Sequence, residues 1–424
     1  MISALVPVFF GLLLFGLPIF AALALSVAIV LYAFGGIDPM IVPMRMFSGM
    51  NNFSLMSIPY FILAAELMRI GGLSERLIGL ARVMIGWLPG GLAAAAVMAC
   101  LLFGSISGSS PATVIAIGSI MYPAMVAAGY DKYFAIGLIA TAGTLGPIVP
   151  PSIALIIYGS VTATSVGMLF AAGLLPALLI GALLILYASI FSARKGYPRD
   201  PFPSVGDVAR AVQRAAWGLG LPAILLGGIY SGVFTPTESA ATACLYGWLI
   251  GAVIYRSIGW RETLVILRNT GLLSGPLLLI TAGASAFSWL LASTGAPSDI
   301  AAQVLSWSDS PVIILALFNV LLLIAGCFLD SASAIIILAP LMQPIAAQLG
   351  VDPVHFGIIM LVNLSIGMLT PPVGLNLFVA MGVAKMSLFE VFRASIRPML
   401  LMLLALILLT YIPRISLLLP QLMY

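Results

Sequence analysis

Long apolar runs separated by short polar stretches dominate the chain, and many of them approach the 20 or so residues that a membrane helix needs. The first run has no charged start and is too long for a signal-peptide core, so we expect a retained single span there. The pattern predicts an all-α polytopic protein embedded in a lipid bilayer. The candidate spans are roughly 4–33, 53–70, 133–164, 168–191, 218–234, 238–256, 272–293, 354–384 and 398–419.

Two of these spans are unusually long and carry glycine and proline near their middle. Proline removes a backbone donor and clashes with the preceding turn, and it also forces the residue before it out of helical geometry. Spans 133–164 and 354–384 are therefore predicted to be broken helices with unwound midsections. The predicted helix-breaking residues are Pro147, Pro150 and Pro151 in the first and Pro371 and Pro372 in the second.

Composition agrees with a membrane location. Hydrophobic residues make up 62% of the chain and charged residues only 7%, whereas a soluble domain has about 45–50% and about 25%. The net charge of +4 is scattered, and no basic cluster with interleaved aromatic residues suggests nucleic-acid binding. The three cysteines lie in apolar runs and imply no disulfide framework.

Lysine and arginine positions predict the orientation, because cytoplasmic loops are enriched in both. Most basic residues fall on one side if segments 89–128 and 297–349 each return to the side they came from. That side includes the polar linker 192–217. The sequence thus predicts a cytoplasmic N-terminus and a periplasmic C-terminus, with Arg45 and Arg414 as the basic exceptions on the outer side.

The two returning segments are interpreted as hairpins. In the first, the apolar arm 91–103 is too short to cross the bilayer, and the polar turn 104–111 leads into the return arm 112–128. A re-entrant hairpin is predicted there. In the second, arms 311–329 and 334–349 flank the turn Asp330–Ser333. These arms are long enough to cross, and the charge pattern does not separate a hairpin from two crossings.

An internal repeat relates the two halves at an offset of 221 residues. Gly146 aligns with Gly367, the pair Pro150-Pro151 with Pro371-Pro372, and Ser109 with Asp330. The charge pattern places the two units in opposite orientations, so we predict inverted repeats over 1–191 and 218–424, with one extra span at about 218–234. Paired broken helices in inverted halves indicate the substrate site of a transporter.

Each polar turn is expected to meet one broken helix near the middle of the membrane. Freed carbonyls and hydroxyls there form an oxygen-rich site for a hard cation, and broken-helix N-termini favour an anion. We therefore predict two Na⁺ sites with a carboxylate-bearing substrate between them. The alternative is that these hydroxyls only join helices by hydrogen bonds.

The predicted Na⁺ ligands are Ser107, Ser109, Gly143, Gly146, Val149, Asp330, Ser333, Gly367 and Thr370. The predicted substrate contacts are Ser105, Ser110, Thr113, Thr144, Ser152, Ser331, Asn363 and Asn376. Asp330 is the strongest single candidate, because a charge deep in an apolar segment is costly and usually functional. Its alternative role is to cap the following helix through backbone N–H groups.

Other charged residues are interpreted as structural. Thr235 and Glu238 have the spacing of a capping box, and Asp131 and Asp352 are placed to cap the helices that follow them. Glu66 is expected to pair with Arg69 one turn later. The single histidine, His355, lies at the entrance of a span and is interpreted as structural rather than as a proton relay.

Enzyme functions lack the residues they need. No lysine follows a glycine, so no Walker A motif exists, and a single histidine excludes the H-E-x-x-H zinc motif. A Ser107–His355 nucleophile pair is not expected, because the two residues are predicted at different depths. The chain is therefore expected not to be an enzyme, to use no cofactor and to have no ATPase partner.

Several motifs resemble those of one family, the large membrane subunits of TRAP (tripartite ATP-independent periplasmic) transporters. The resemblance runs nearly end to end. Its most specific segments are Phe103–Thr113, Gly129–Asp131, Gly143–Ser152, Phe234–Glu238 and Leu369–Asn376.

The resemblance implies the fold of the ion-transporter superfamily, with an elevator-type transport domain built from both hairpins and both broken helices. It also implies Na⁺-driven uptake across a bacterial inner membrane, a small four-helix membrane subunit, and a soluble periplasmic substrate-binding protein. Implied substrates are C4-dicarboxylates, sialic acid and other organic acids. The alternatives are a stand-alone Na⁺/anion symporter of the same superfamily, needing no binding protein, and a channel.

Overall fold

The computed structural model describes residues 2–35, 37–51, 53–295, 303 and 310–423. Most of these residues are helical, and the described part of the chain contains eight helices that are long and apolar enough to cross a membrane. The start of the predicted hairpin segment 297–349, with Asp299 and Asp309, lies outside the described residues. The all-α polytopic class is confirmed.

The described residues of the first half form ten α-helices: α1 Ile2–Leu14, α2 Ile19–Val30, α3 Ile41–Met50, α4 Ser57–Ile70, α5 Leu73–Ile85, α6 Gly91–Ser107, α7 Ser110–Ala127, α8 Lys132–Gly143, α9 Ile153–Thr162 and α10 Val166–Lys195. The rest of the described chain forms α11 Val205–Tyr230, α12 Pro236–Leu249, α13 Trp260–Ser293, α14 Pro311–Phe328, α15 Ser331–Gln348, α16 Pro353–Gly367, α17 Leu375–Ala384, α18 Leu388–Tyr411 and α19 Arg414–Met423. Short π-helical segments extend α2 and α12, at Leu31–Gly35 and Ile250–Ile254.

The prediction of one continuous span over 4–33 is wrong. Helix α1 ends at Leu14, Gly16 adopts a left-handed φ of +82°, and Pro18 immediately precedes α2. A left-handed glycine ends a helix and a proline favours the start of the next, so the chain turns within this apolar run. The two helices pack against each other.

This turn changes how the two halves compare. The α1–α2 pair now has a counterpart in α11–α12, which also pack together, and both pairs end in a π-helical segment. The predicted span at 218–234 overlaps the end of α11, so it matches α1 and is not an extra element between the halves.

Both predicted hairpin segments contain two helices joined by a very short turn. Gly108 and Ser109 separate α6 from α7, and Leu329 and Asp330 separate α14 from α15. The turns are shorter than the sequence predicts, because Ser105 and Ser107 remain in α6 and Ser331 already belongs to α15. We call residues 107–113 the first tip and residues 329–333 the second tip.

Both broken helices are confirmed. Residues 144–152 separate α8 from α9, and residues 368–374 separate α16 from α17. We call these segments the first break and the second break. The bonds Pro150-Pro151 and Pro371-Pro372 are both cis.

The predicted capping residues are also confirmed. Asp131 accepts the N–H of Phe134 at the start of α8, and Asp352 accepts the N–H groups of Val354 and His355 at the start of α16. Thr235 and Glu238 form a capping box. Arg69 Nη2 lies 2.7 Å from Glu66 Oε2, and all three cysteines are free and buried.

The two halves interlock through their broken helices. Helix α9, which follows the first break, packs on α15 of the second hairpin segment, and α17, which follows the second break, packs on α7 of the first. Each broken helix therefore contacts the hairpin segment of the other half as well as its own. This exchange brings tips and breaks from distant parts of the sequence together.

Candidate functional site

The first tip lies directly on the first break. Ser110 Oγ donates to the carbonyl of Gly143 at 3.1 Å. A Cβ atom at Gly146 would lie 2.6 Å from both the Ser109 carbonyl oxygen and Thr113 Oγ1, so only glycine fits this position. The contact between Gly146 and the Ser109 carbonyl therefore lies among the predicted Na⁺ ligands Ser107, Ser109, Gly143 and Gly146. Val149 is the one predicted ligand of the first half that is not part of this group.

Hydroxyl groups converge at the first tip. Ser107 Oγ and Thr113 Oγ1 are 2.9 Å apart, and Thr113 Oγ1 donates to the Ser109 carbonyl at 2.8 Å. The Ser107 and Thr113 side chains are both buried. Hard monovalent and divalent cations prefer such oxygen ligands. In the described part of the chain, by contrast, no group of three or more His, Cys, Asp or Glu side chains could hold a metal ion.

Asn376 connects the first tip to the second half of the molecule. It lies in the first turn of α17, and its Nδ2 donates to Ser110 Oγ. Its Oδ1 is buried and has no hydrogen-bond partner within the described residues. A buried amide oxygen without a protein partner normally bonds to water or a ligand. Ser110 and Asn376 together therefore offer polar atoms from both halves at one place.

Asp330 caps helix α15. Its carboxylate accepts the N–H groups of Ala332 at 3.0 Å and Ser333 at 3.2 Å, and it also accepts the Ser333 hydroxyl. The capping role that the sequence left as an alternative is therefore present. A carboxylate has about four acceptor positions, so capping leaves room for a cation. The Na⁺ role of Asp330 and Ser333 remains a prediction.

The second tip contacts its break through a weak side-chain contact, and the end of α14 adds a backbone hydrogen bond. Ser331 Oγ lies 3.4 Å from Met368 Sδ, and the N–H of Gly374 donates to the Cys327 carbonyl at 3.0 Å. Gly367 of α16 touches Gly326 of α14 closely, as Gly146 touches Gly104 in the first half. In each half, the glycine pair lets the broken helix approach the hairpin segment of that half closely.

Some predicted site residues face elsewhere. Thr144 Oγ1 lies 3.2 Å from Met402 Sδ of α18, and Thr370 Oγ1 lies 3.8 Å from Met399 Sδ of the same helix. Ser105 donates to the Leu102 carbonyl within α6, and Ser152 caps α9. The ligand roles of these four residues stay predictions.

Asn363 belongs to a separate polar chain that the sequence analysis missed. Its Nδ2 donates to Asn319 Oδ1 of α14 at 2.8 Å, and Asn319 Nδ2 donates to Thr410 Oγ1 of α18 at 3.1 Å. His355 Nδ1 lies 2.7 Å from Ser416 Oγ, which joins α16 to α19 nearby. Asn319 stands alone among apolar residues of α14, and that isolation was the available signal.

An all-helical membrane fold with two broken helices and two polar tips defines a multi-pass transport protein. The family model of the tripartite ATP-independent periplasmic transporter, DctM component, matches residues 6–415. The chain belongs to this family, whose members are transporter permeases and not enzymes. It is therefore the large membrane subunit of a TRAP system, which works with a small membrane subunit and a periplasmic binding protein.

Curated relatives and a solved structure agree with this assignment. The chain is 42% identical to the C4-dicarboxylate TRAP transporter large permease protein DctM of Vibrio cholerae over 97% of this chain and 96% of that one. It is 41% identical to the isethionate TRAP transporter permease protein DctMQ of Oleidesulfovibrio alaskensis, over 96% of this chain and 65% of the relative. Its fold is similar to the Alcanivorax borkumensis YdaH transporter, with a TM-score of 0.64 at 18% identity, covering 90% of this chain and 89% of that one.

Proposed function

We propose that the protein uses a Na⁺ gradient to take up a small organic anion that a periplasmic binding protein delivers. The observation that carries the proposal is the hydrogen-bonded link from the Gly143 carbonyl through Ser110 to Asn376. This link joins the first tip, the end of α8 just before the first break, and the second broken helix at a buried, oxygen-rich point. It supports a site that depends on both halves of the chain.

The two Na⁺ sites are proposed at the two tip–break contacts. The first uses Ser107, Ser109, Gly143, Gly146 and Val149, and the second uses Asp330, Ser333, Gly367 and Thr370. One carboxylate does not neutralise two Na⁺ ions, so an anionic substrate completes the charge balance. Each net positive charge that moves inward then gains about 2.3 kcal/mol per 100 mV of membrane potential.

The substrate is proposed to bind between these sites, beside Ser110 and Asn376. The unpartnered Asn376 Oδ1 favours a ligand that also has a hydrogen-bond donor, such as a hydroxyl group or a bound water. The names of two relatives specify a C4-dicarboxylate and isethionate. Both are small organic anions, which supports this class for the present chain and leaves the individual acid open.

An elevator mechanism is proposed, in which both hairpin segments and both broken helices move as one unit. The crossed packing of α9 on α15 and of α17 on α7 supports this division, since each broken helix contacts the hairpin segment of the other half. The remaining helices would form the scaffold that the small membrane subunit braces.

Transport in proteoliposomes tests the proposal. The chain is reconstituted with its small subunit, and uptake of labelled succinate is measured with the cognate binding protein under an inward Na⁺ gradient. Saturable uptake that requires both Na⁺ and the binding protein is expected. Succinate uptake that proceeds equally with K⁺ alone contradicts Na⁺ coupling, and non-saturable flux indicates a channel. Uptake of free substrate without the binding protein favours the stand-alone symporter.

The N-terminus is proposed to lie in the periplasm, opposite to the sequence-based expectation. That expectation required 4–33 to be one span, whereas α1 and α2 form a pair that matches α11 and α12. If the halves are inverted, α1 runs inward and α2 outward. A reporter fused to the N-terminus should be active in a periplasmic and not a cytoplasmic assay, and the reverse result rejects this orientation.

A further inference from the structure

A polar cavity is lined by residues outside both tips and both breaks. It has a volume of about 470 Å³ and lies between α3 with the segment after it, the end of α9, and α13. Its lining includes no charged side chain among the described residues. The polar residues that line it are Ser48, Asn51, Ser160, Thr281, Ser285 and Ser288.

The side chain of Ser160 indicates that this cavity holds water or a polar ligand. Its Oγ is buried and has no hydrogen-bond partner in the described part of the chain. Buried hydroxyls normally have a partner, so this one is available to water or a ligand in the cavity. Ser160 lies eight residues after Ser152, about 12 Å along α9. One short helix therefore connects the cavity to the first break.

Arg45 supplies a positive charge beside the cavity. Its guanidinium carbon lies 4.9 Å from the centre of the Trp289 ring, a contact that holds the charge in place. Arg45 is one helical turn before Ser48 on α3, and Trp289 is one turn after Ser285 on α13. A Cβ atom at Gly49 would overlap Ser285, so α3 and α13 touch here. Arg45 therefore lies one helical turn from the cavity hydroxyls, along the same contact between α3 and α13.

We infer that this hydroxyl-lined cavity, with Arg45 at its rim, is an entry vestibule for a small organic anion before it reaches the tips. The inference rests on the proposed function. Hydroxyl donors and a guanidinium suit a carboxylate or sulfonate, and Arg45 disfavours a cation. The predicted orientation places α3, the end of α9 and the end of α13 on the periplasmic side. Arg45, an exception to the charge pattern, thereby gains a role.

A chemical-labelling experiment tests the vestibule without requiring transport. A Ser160→Cys variant, assembled with the small subunit in nanodiscs, is treated with an anionic sulfonatoethyl or a cationic trimethylammonioethyl methanethiosulfonate. The native cysteines are buried, and the unsubstituted complex provides the background. The anionic reagent is expected to react faster relative to its rate with a free thiol. Ser288→Cys serves as a second reporter if the first variant assembles poorly.

Arg45→Gln in the same background isolates the charge. We expect the anionic preference to fall by about tenfold at low ionic strength, and to shrink at high salt in the Arg45 protein. Arg414→Gln is the matched control, because Arg414 is an exposed arginine on the same predicted side. It should leave the preference unchanged.

Three results overturn the inference. They are the absence of labelling at both reporters, equal rates for the two reagents, and an equal effect of Arg45→Gln and Arg414→Gln. Failure of Na⁺ coupling is detected separately, in the succinate uptake assay. A vestibule that selects anions in a protein without Na⁺-driven uptake would reject the proposed function and keep the anion site.

Discussion

The first and second breaks have matching backbone courses but different surroundings. Residues 144–152 are all buried, whereas Pro372 and Val373 of the second break are exposed. Helix α10 covers the first break so closely that a Cβ atom at Gly173 would lie 2.9 Å from the Ile148 carbonyl oxygen. The repeat therefore reproduces where the helix breaks but not what covers the break. Access to the two proposed sites should differ accordingly.

The tips differ in chemistry as well. The first tip is neutral, and its hydroxyls bond to one another, to the Gly143 carbonyl at the end of α8 and to Asn376. The second tip carries the carboxylate of Asp330 and bonds mainly within its own helix turn. We infer that the first tip–break contact positions the groups of the proposed site rigidly, and that the second supplies the negative charge for Na⁺.

The largest effect is expected for Asp330→Asn. Asparagine caps helices about as well as aspartate, so the helix should persist while the charge is lost. If Asp330 contacts Na⁺, its charge contributes a few kcal/mol in a partly buried site, and Na⁺-dependent uptake should fall at least about tenfold. Na⁺ activation curves in proteoliposomes measure this change.

Asp352→Asn is the matched control, because Asp352 caps α16 with the same type of bonds. It should leave Na⁺ activation unchanged. Wild-type Na⁺ activation in Asp330→Asn, with normal assembly, would show that this residue acts only as a helix cap. The charge of the second tip would then have no part in Na⁺ binding.

A smaller effect is expected when the two tip serines are compared. Ser110→Ala leaves the buried Asn376 amide without its partner, which costs about 1–3 kcal/mol, and should lower both thermal stability and uptake. Ser331→Ala removes a contact with a thioether, a weak acceptor, and should lower thermal stability less than Ser110→Ala does. Thermal unfolding in detergent and succinate uptake measure both variants.

Ser110→Thr should restore much of the loss, because it keeps the hydroxyl. Equal effects of the two alanine variants would argue against the Ser110–Asn376 link as the point that joins the halves.

The smallest effect is expected outside both breaks, in the linker. Arg82 Nε lies 2.6 Å from Asp200 Oδ2, and the hydrogen bond from this guanidinium lowers the pKa of the Asp200 carboxyl. A carboxyl whose pKa is lowered in the folded state stabilises the protein at pH values above its ordinary pKa of about 3.9. This stabilisation is lost as the pH falls through the lowered pKa of the folded state.

Asp200→Asn should therefore reduce stability by less than about 1 kcal/mol near pH 7, since both side chains are substantially exposed. The difference from the parent protein should shrink towards pH 3 in thermal unfolding. A difference that grows on acidification would contradict this assignment, and any loss of Na⁺ coupling would show that the linker influences the tips.

Local chemistry explains what could be predicted. Single prolines such as Pro176 and Pro276 lie inside continuous helices. The adjacent pairs Pro150-Pro151 and Pro371-Pro372, by contrast, each remove two consecutive N–H groups and disfavour helical geometry before the second proline, and both effects act within one turn. The caps at Asp131 and Asp352 were predictable for the same reason. Gly16 and Pro18 carried an equally local signal for the turn between α1 and α2, but the apolar run around them obscured it.

The sequence by itself determined the membrane class, both breaks and both tips, since these depend on hydropathy and on backbone rules that span a few residues. Only the tertiary structure decided that Ser110 bonds to Asn376, that Asn363 turns to Asn319, and that the first break alone is fully covered. Such contacts join residues far apart in the chain, and their geometry follows from how whole helices pack, which no local pattern specifies.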